Sequence, residues 1–65
     1  MRKAERLFEI VQLLRLAREP ISAQHIASEL GSSKRSVYRD IAALKAQDVP
    51  VRGEAGIGYV LEKGF

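Results

Sequence analysis

The sequence predicts a mainly α domain, three helices closed by a small β-hairpin, on three observations. Apolar residues recur at three- and four-residue spacing as far as Leu44, broken only at Glu19-Pro20 and at Gly31-Ser32-Ser33. After Asp48 the spacing switches to alternation, at Val49 and Val51 and again at Ile57, Tyr59 and Leu61. Glycines 53, 56 and 58 cluster where that alternating segment must reverse. At 65 residues the chain holds one domain, close to the size at which a single apolar core barely suffices, which favours support from a partner or a neighbouring domain.

The first helix is expected over residues 3–18, with Leu7, Ile10, Val11, Leu14 and Ala17 on one stripe and Phe8, Leu13 and Leu16 widening it. Glu19-Pro20 ends it, because proline disfavours helical geometry in the residue before it. Ser22 then caps a short second helix, 23–30, with Ile21 placed to staple onto Ile26. Gly31 supplies the left-handed stop. Ser33 caps a third helix, 34–47, whose core stripe is Val37, Ile41 and Leu44. Two helices joined by about three residues containing Gly form a helix-turn-helix unit. A hairpin over 49–62 follows, its tip near residues 54–56.

Charge is unevenly placed. Of 11 Lys and Arg, three (Lys34, Arg35 and Arg39) fall within six residues free of acid, and the remaining eight are balanced by eight Asp and Glu, so the formal +3 resides in this segment. With steps of about 100° per residue from Val37, Ile41 and Leu44 lie within about 40°, whereas Arg35 and Arg39 lie at about 160° and 200°, opposite the core. The two arginines therefore face solvent, one turn apart near the helix N-terminus, with small Ala42 and Ala46 behind them. Such a face fits the major groove of B-DNA, about 12 Å wide, where arginine can donate two parallel hydrogen bonds to guanine. Ser36 and Tyr38 lie on its flanks, suited to the sugar-phosphate walls. Lys34 opposes the helix dipole by about 0.3–1 kcal/mol, so helix stability does not account for it and a phosphate would. Asp40, at about −60°, is expected to sit at the core edge and orient a basic side chain such as one on the first helix.

At these residues the chain resembles a known family. The run LGSSKRSVYRDIAALKAQ, preceded by ISAQHIASE and followed by VPVRGEAGIGYVL, is similar to the winged helix-turn-helix of bacterial transcriptional regulators, and more narrowly to the DeoR-like N-terminal domain of WYL-domain regulators. Leu30-Gly31, Ser33, Arg35, Val37-Tyr38-Arg39-Asp40-Ile41 and Gly58-Tyr59-Val60-Leu61 match that pattern. Ser32 replaces its apolar turn residue, weakening the turn's packing, and Ser36 replaces threonine. The resemblance implies a sequence-specific reader of double-stranded DNA, with Ser22, Gln24, Ser33, Lys34, Arg35, Ser36, Tyr38, Arg39 and Arg52 as the DNA-binding set. It also implies a C-terminal effector-binding domain absent from these residues, with Gly64-Phe65 opening a linker, and a homodimer formed through the full-length protein.

Blander accounts compete at several positions. Arg35 and Arg39 could form an ordinary solvated face, Tyr38 could pack on the hairpin or first helix, and Tyr59 belongs more naturally to the core than to a contact. Ser22 is justified as a cap alone, and His25 as a surface histidine. Arg52 could reach a minor-groove phosphate or only discourage edge pairing. Arg2, Lys3 and Arg6 form a second, weaker basic group, so the N-terminus of the first helix could meet phosphates; Glu5 and Glu9 interleave with them, and a fraying terminus is the bland account. No nucleophile–base pair, phosphate loop or paired carboxylates occur, so no enzyme, catalytic residue or cofactor is expected. With no Cys and one His, no metal site is expected either. No stretch is apolar and long enough for a membrane span, and a cytoplasmic location is expected. Two other classes fit the same fold: the head of a biotin ligase repressor-like enzyme, and a winged helix used for protein contact, for which the wide stripe of the first helix would supply an exposed apolar patch.

Overall fold

The computed structural model describes residues 2–54 and 56–62. The centre of the expected hairpin tip, Ala55, and the expected linker start at Gly64-Phe65 lie outside the described residues. Three helices, α1 (Lys3–Leu16), α2 (Ala23–Leu30) and α3 (Lys34–Ala46), precede two antiparallel strands, β1 (Val51–Glu54) and β2 (Gly58–Leu61). This is a winged helix-turn-helix, with α2 and α3 as the motif and the hairpin as the wing.

Each boundary has a local cause. The Ser22 hydroxyl accepts the His25 N–H at 3.0 Å and starts α2. Gly31 stops it at φ 64, allowing the Ser32 N–H to donate to the Ala27 carbonyl at 2.9 Å. Ser33 accepts the Ser36 N–H at 3.1 Å and starts α3. Asp48, also left-handed at φ 64, ends α3 as a glycine would, with the Val49 N–H returning to the Leu44 carbonyl at 3.0 Å. Gln47, expected as the last helical residue, is the cap.

Two features differ from the sequence expectation for one tertiary reason. α1 stops at Leu16, with Ala17 already extended at ψ 141, two residues before the expected end at residue 18. Residues 17–20 must turn back so that Ile21 can pair with the wing: its N–H donates to the Tyr59 carbonyl at 2.9 Å and the Tyr59 N–H donates back at 2.7 Å. Gly58 sits at this junction with φ 115, and a Cβ there would lie 2.9 Å from the Pro20 Cβ, so only glycine fits without displacement. Because β2 begins at Gly58, Ile57 falls in the turn and is 73% exposed; it does not share the inward face of Tyr59.

The core is a three-helix knot covered on one side by the wing. Ile10, Ile26 and Val37, one from each helix, are all 0% exposed. Leu7, Leu14, Ala23, Ala27, Ile41 and Leu44 surround them, and Val51 and Tyr59 close the wing side. At the far edge Asp40 is buried at 6% exposure and its carboxylate accepts from the Arg6 guanidinium, tying α3 to α1 as its wheel position suggested. The Ser32 hydroxyl, by contrast, is buried with no hydrogen-bond partner.

Two stability outcomes follow from these contacts. Ser32→Ala removes a desolvated, unpaired hydroxyl and should raise stability by about 1 kcal/mol, or about 4–8 °C in Tm for a domain of this size, by thermal circular dichroism. Asp40→Ala leaves the half-buried Arg6 guanidinium unpaired and should lower stability by about 2 kcal/mol in urea denaturation, with Arg6→Ala in the same chain restoring part of the loss.

Candidate nucleic-acid interface

Burial of Val37, Ile41 and Leu44 sets the rotation of α3 about its axis, and the opposite face is thereby turned to solvent. Lys34, Arg35 and Arg39 are all exposed there. The ion pairs among the described residues are Arg6–Asp40 and Arg52–Glu62, so none of the three cations on α3 is held by a carboxylate. The first turn of α3 contains no acid, and its amides add partial positive charge beside Lys34. An anion approaching this end of the helix meets only donors.

The serines at the start of α3 have divided duties. The Ser33 oxygen accepts the Ser36 N–H, and its hydroxyl donates to the Ser36 hydroxyl at 3.2 Å. That leaves the Ser36 hydrogen available to donate outward. Ser36 and Arg39 line one recess together with Lys3, Arg6 and Asp40. In that recess the carboxylate of Asp40 is already engaged by Arg6, while the buried Arg6 Nε has no partner. The recess therefore presents donors from two helices, Lys3 on α1 and Ser36 and Arg39 on α3. Lys3 and Arg6 belong to the second, weaker basic group of the sequence, interleaved with acids; the fold places them beside Arg39. The signal for them was Asp40, a carboxylate at the core edge that required a cation on the first helix.

Other expected contact residues do not join this recess. Ser22 and His25 line a separate groove with Leu16 and Ile57, and the Ser22 oxygen is already occupied as the α2 cap. Gln24 is exposed on the first turn of α2. Tyr38 is 40% exposed, between a packed and a solvated ring. Arg52 projects from β1 and its Nε forms an ion pair with the Glu62 carboxylate at 3.1 Å, with the arginine side chain 74% exposed. A surface pair of this kind is worth about 0–1 kcal/mol and yields readily to a stronger anion. Tyr59 is a core wall: burial pushes its hydroxyl above the ordinary 10.0, with the neighbouring Tyr38 and Glu54 acting in the same direction.

Among the described residues no group of His, Cys, Asp and Glu is arranged to hold a metal ion, and no helix is long and apolar enough to cross a membrane. Comparison with known proteins bears on the same span of chain. The "Probable transcription repressor NiaR" of Thermotoga maritima is 36% identical over 62 residues, which cover 95% of this chain and 35% of that protein. The chain thus spans about a third of the length of that relative. A family model described as an HTH domain matches residues 6–60, from the arginine that anchors α1 to α3 through the helix-turn-helix and into the last strand of the wing. With the capped turn, the three-helix core and most of the wing inside the matched span, the chain belongs to the HTH domain family.

Proposed function

We propose that this chain is the DNA-binding head of a bacterial transcription regulator, acting in the cytoplasm, with α3 as the helix that enters the major groove. The observation that carries the reading is the outward face of α3: three exposed cations, no carboxylate bound to them, and a helix N-terminus free of acid. The similarity to a protein named as a probable transcription repressor supports it. The narrower DeoR-like affiliation rests on the runs Val37-Tyr38-Arg39-Asp40-Ile41 and Gly58-Tyr59-Val60-Leu61.

In this reading Arg35 and Arg39 contact base edges, where a bidentate guanidinium–guanine pair discriminates by about 1–3 kcal/mol. Lys34, Ser36 and Tyr38 meet the phosphates that flank the groove, and Lys3 extends the same phosphate track onto α1. Ser33 acts through the cap that orients Ser36. Ser22 and Gln24 lie where the first helix of such a motif crosses the backbone, and Arg52 serves the neighbouring groove from the wing. The full-length protein carries a C-terminal effector-binding domain and forms a homodimer that reads two half-sites.

The test is fluorescence anisotropy on a selected operator and on a random duplex. Arg35→Ala or Arg39→Ala should weaken operator binding by about 5- to 100-fold with a smaller loss on random DNA, and should shift stability by no more than about 0.5 kcal/mol because both side chains are exposed. Equal losses on the two duplexes would assign the arginines to phosphates instead.

A further inference from the structure

The wing carries little positive charge for an element assigned to DNA. Within residues 51–62 the cation is Arg52, set against the acids Glu54 and Glu62. Burial of Val51 and Tyr59 turns alternate positions of the hairpin inward, so Arg52, with Val60 opposite it in the register, lies on the outer face. Glu62 continues that face just past β2. Its N–H donates to the Pro50 carbonyl at 2.9 Å, which holds its backbone against the start of the hairpin. From there the Glu62 carboxylate reaches diagonally across the strands to Arg52, 3.1 Å from Nε. The partners are unequal, the Glu62 side chain being 37% exposed and the Arg52 side chain 74%. Lys34, Arg35 and Arg39 have no such partner among the described residues. The wing's arginine is held internally; the cations of α3 are not.

We propose that Glu62 is an affinity-limiting residue: its carboxylate occupies the Arg52 guanidinium in place of a DNA phosphate, so a duplex gains the wing contact only by displacing it. This inference rests on the reading of the chain as a DNA-binding head. The step is an exchange of one anion for another on the same guanidinium, whose fork of donors suits carboxylate and phosphate alike. The pair is exposed and weak enough to exchange, yet its loss is subtracted from whatever the phosphate contact contributes. The Arg6–Asp40 pair is the contrast. Asp40 is 6% exposed, and pulling its partner away would strand a buried carboxylate, so that pair ties helices together and does not exchange. Because a phosphate carries no sequence information, the cost set by Glu62 falls equally on every duplex. The two ends of the surface thus have separate tasks. The outer face of α3 selects the sequence, and the Arg52–Glu62 pair sets how tightly any sequence is held.

The test is fluorescence anisotropy of the 65-residue chain at about 50 mM salt on a random duplex and on a selected operator, with circular dichroism confirming that each variant is folded. Glu62→Gln should tighten binding about threefold, by the same factor on both duplexes. Arg52→Ala should weaken both, and Glu62→Gln added to it should recover little of the loss, since the carboxylate then has no guanidinium to withhold. Unchanged or weaker binding by Glu62→Gln overturns the proposal. So does a gain as large in the Arg52→Ala chain as in the wild type, which would reduce Glu62 to its share of the overall charge. Either failure leaves wild-type binding and the reading of α3 standing. A chain that binds no duplex in any of these forms overturns the DNA reading itself, and this inference with it.

Discussion

The contact on which the molecule depends is the meeting of Ile10, Ile26 and Val37. Each comes from a different helix and each is fully removed from solvent. A domain this small cannot tolerate a cavity at that point, because a single missing methylene group there costs about 1 kcal/mol of a stability that is only marginal. The three side chains therefore fix the rotation of all three helices about their axes at once. Once Val37 points inward, Arg35 and Arg39 have no choice of direction, and the exposure of the basic face is a consequence of the core.

Around that knot the connections are short and individually capped. The turn between α2 and α3 has two opposed influences. Gly31 takes the left-handed geometry without strain and Ser33 satisfies an α3 amide, yet Ser32 buries a hydroxyl without a partner between them. The wing is held by main-chain bonds between Ile21 and Tyr59 as well as by its own register, which ties the segment leading into α2 to the wing. The Arg6–Asp40 pair does the same for α1 and α3 on the opposite side. Supported from both sides, α3 presents Arg35 and Arg39 from a fixed backbone, the condition that the proposed bidentate contact with a base would need.

Much of this was legible before any coordinates. The three helices, their serine caps, the glycine stop and the wing follow from local rules, because capping, proline exclusion and left-handed glycine act over four or five residues. The outward direction of Arg35 and Arg39 also followed, since it needs only the helical period and one apolar stripe. Asp40 was read correctly as a core-edge carboxylate seeking a cation on the first helix. The premature end of α1, the pairing of Ile21 with Tyr59 and the exposure of Ile57 were not legible. They arise from contacts across 38 residues of chain, in which the wing draws residues 17 and 18 away from a helical path that their own pattern would allow.

The sequence by itself determined the element order, the caps and the segregation of positive charge onto one side of α3, because each depends on neighbours within a helical turn or two. Only the tertiary structure decided which basic residues work together. Lys3 and Arg6 are distant from Arg39 in sequence and look like terminal charges, but the Asp40 carboxylate draws Arg6 to the edge of α3 and brings Lys3 into the recess shared with Ser36 and Arg39. Likewise, the broad apolar stripe of α1 could be counted in the sequence, but its division into buried Leu7, Ile10 and Leu14 and exposed Phe8 and Leu16 required the other two helices to be in place. The physical reason is that a three-helix core contacts only one side of α1, and where that side lies is set by packing against partners far along the chain.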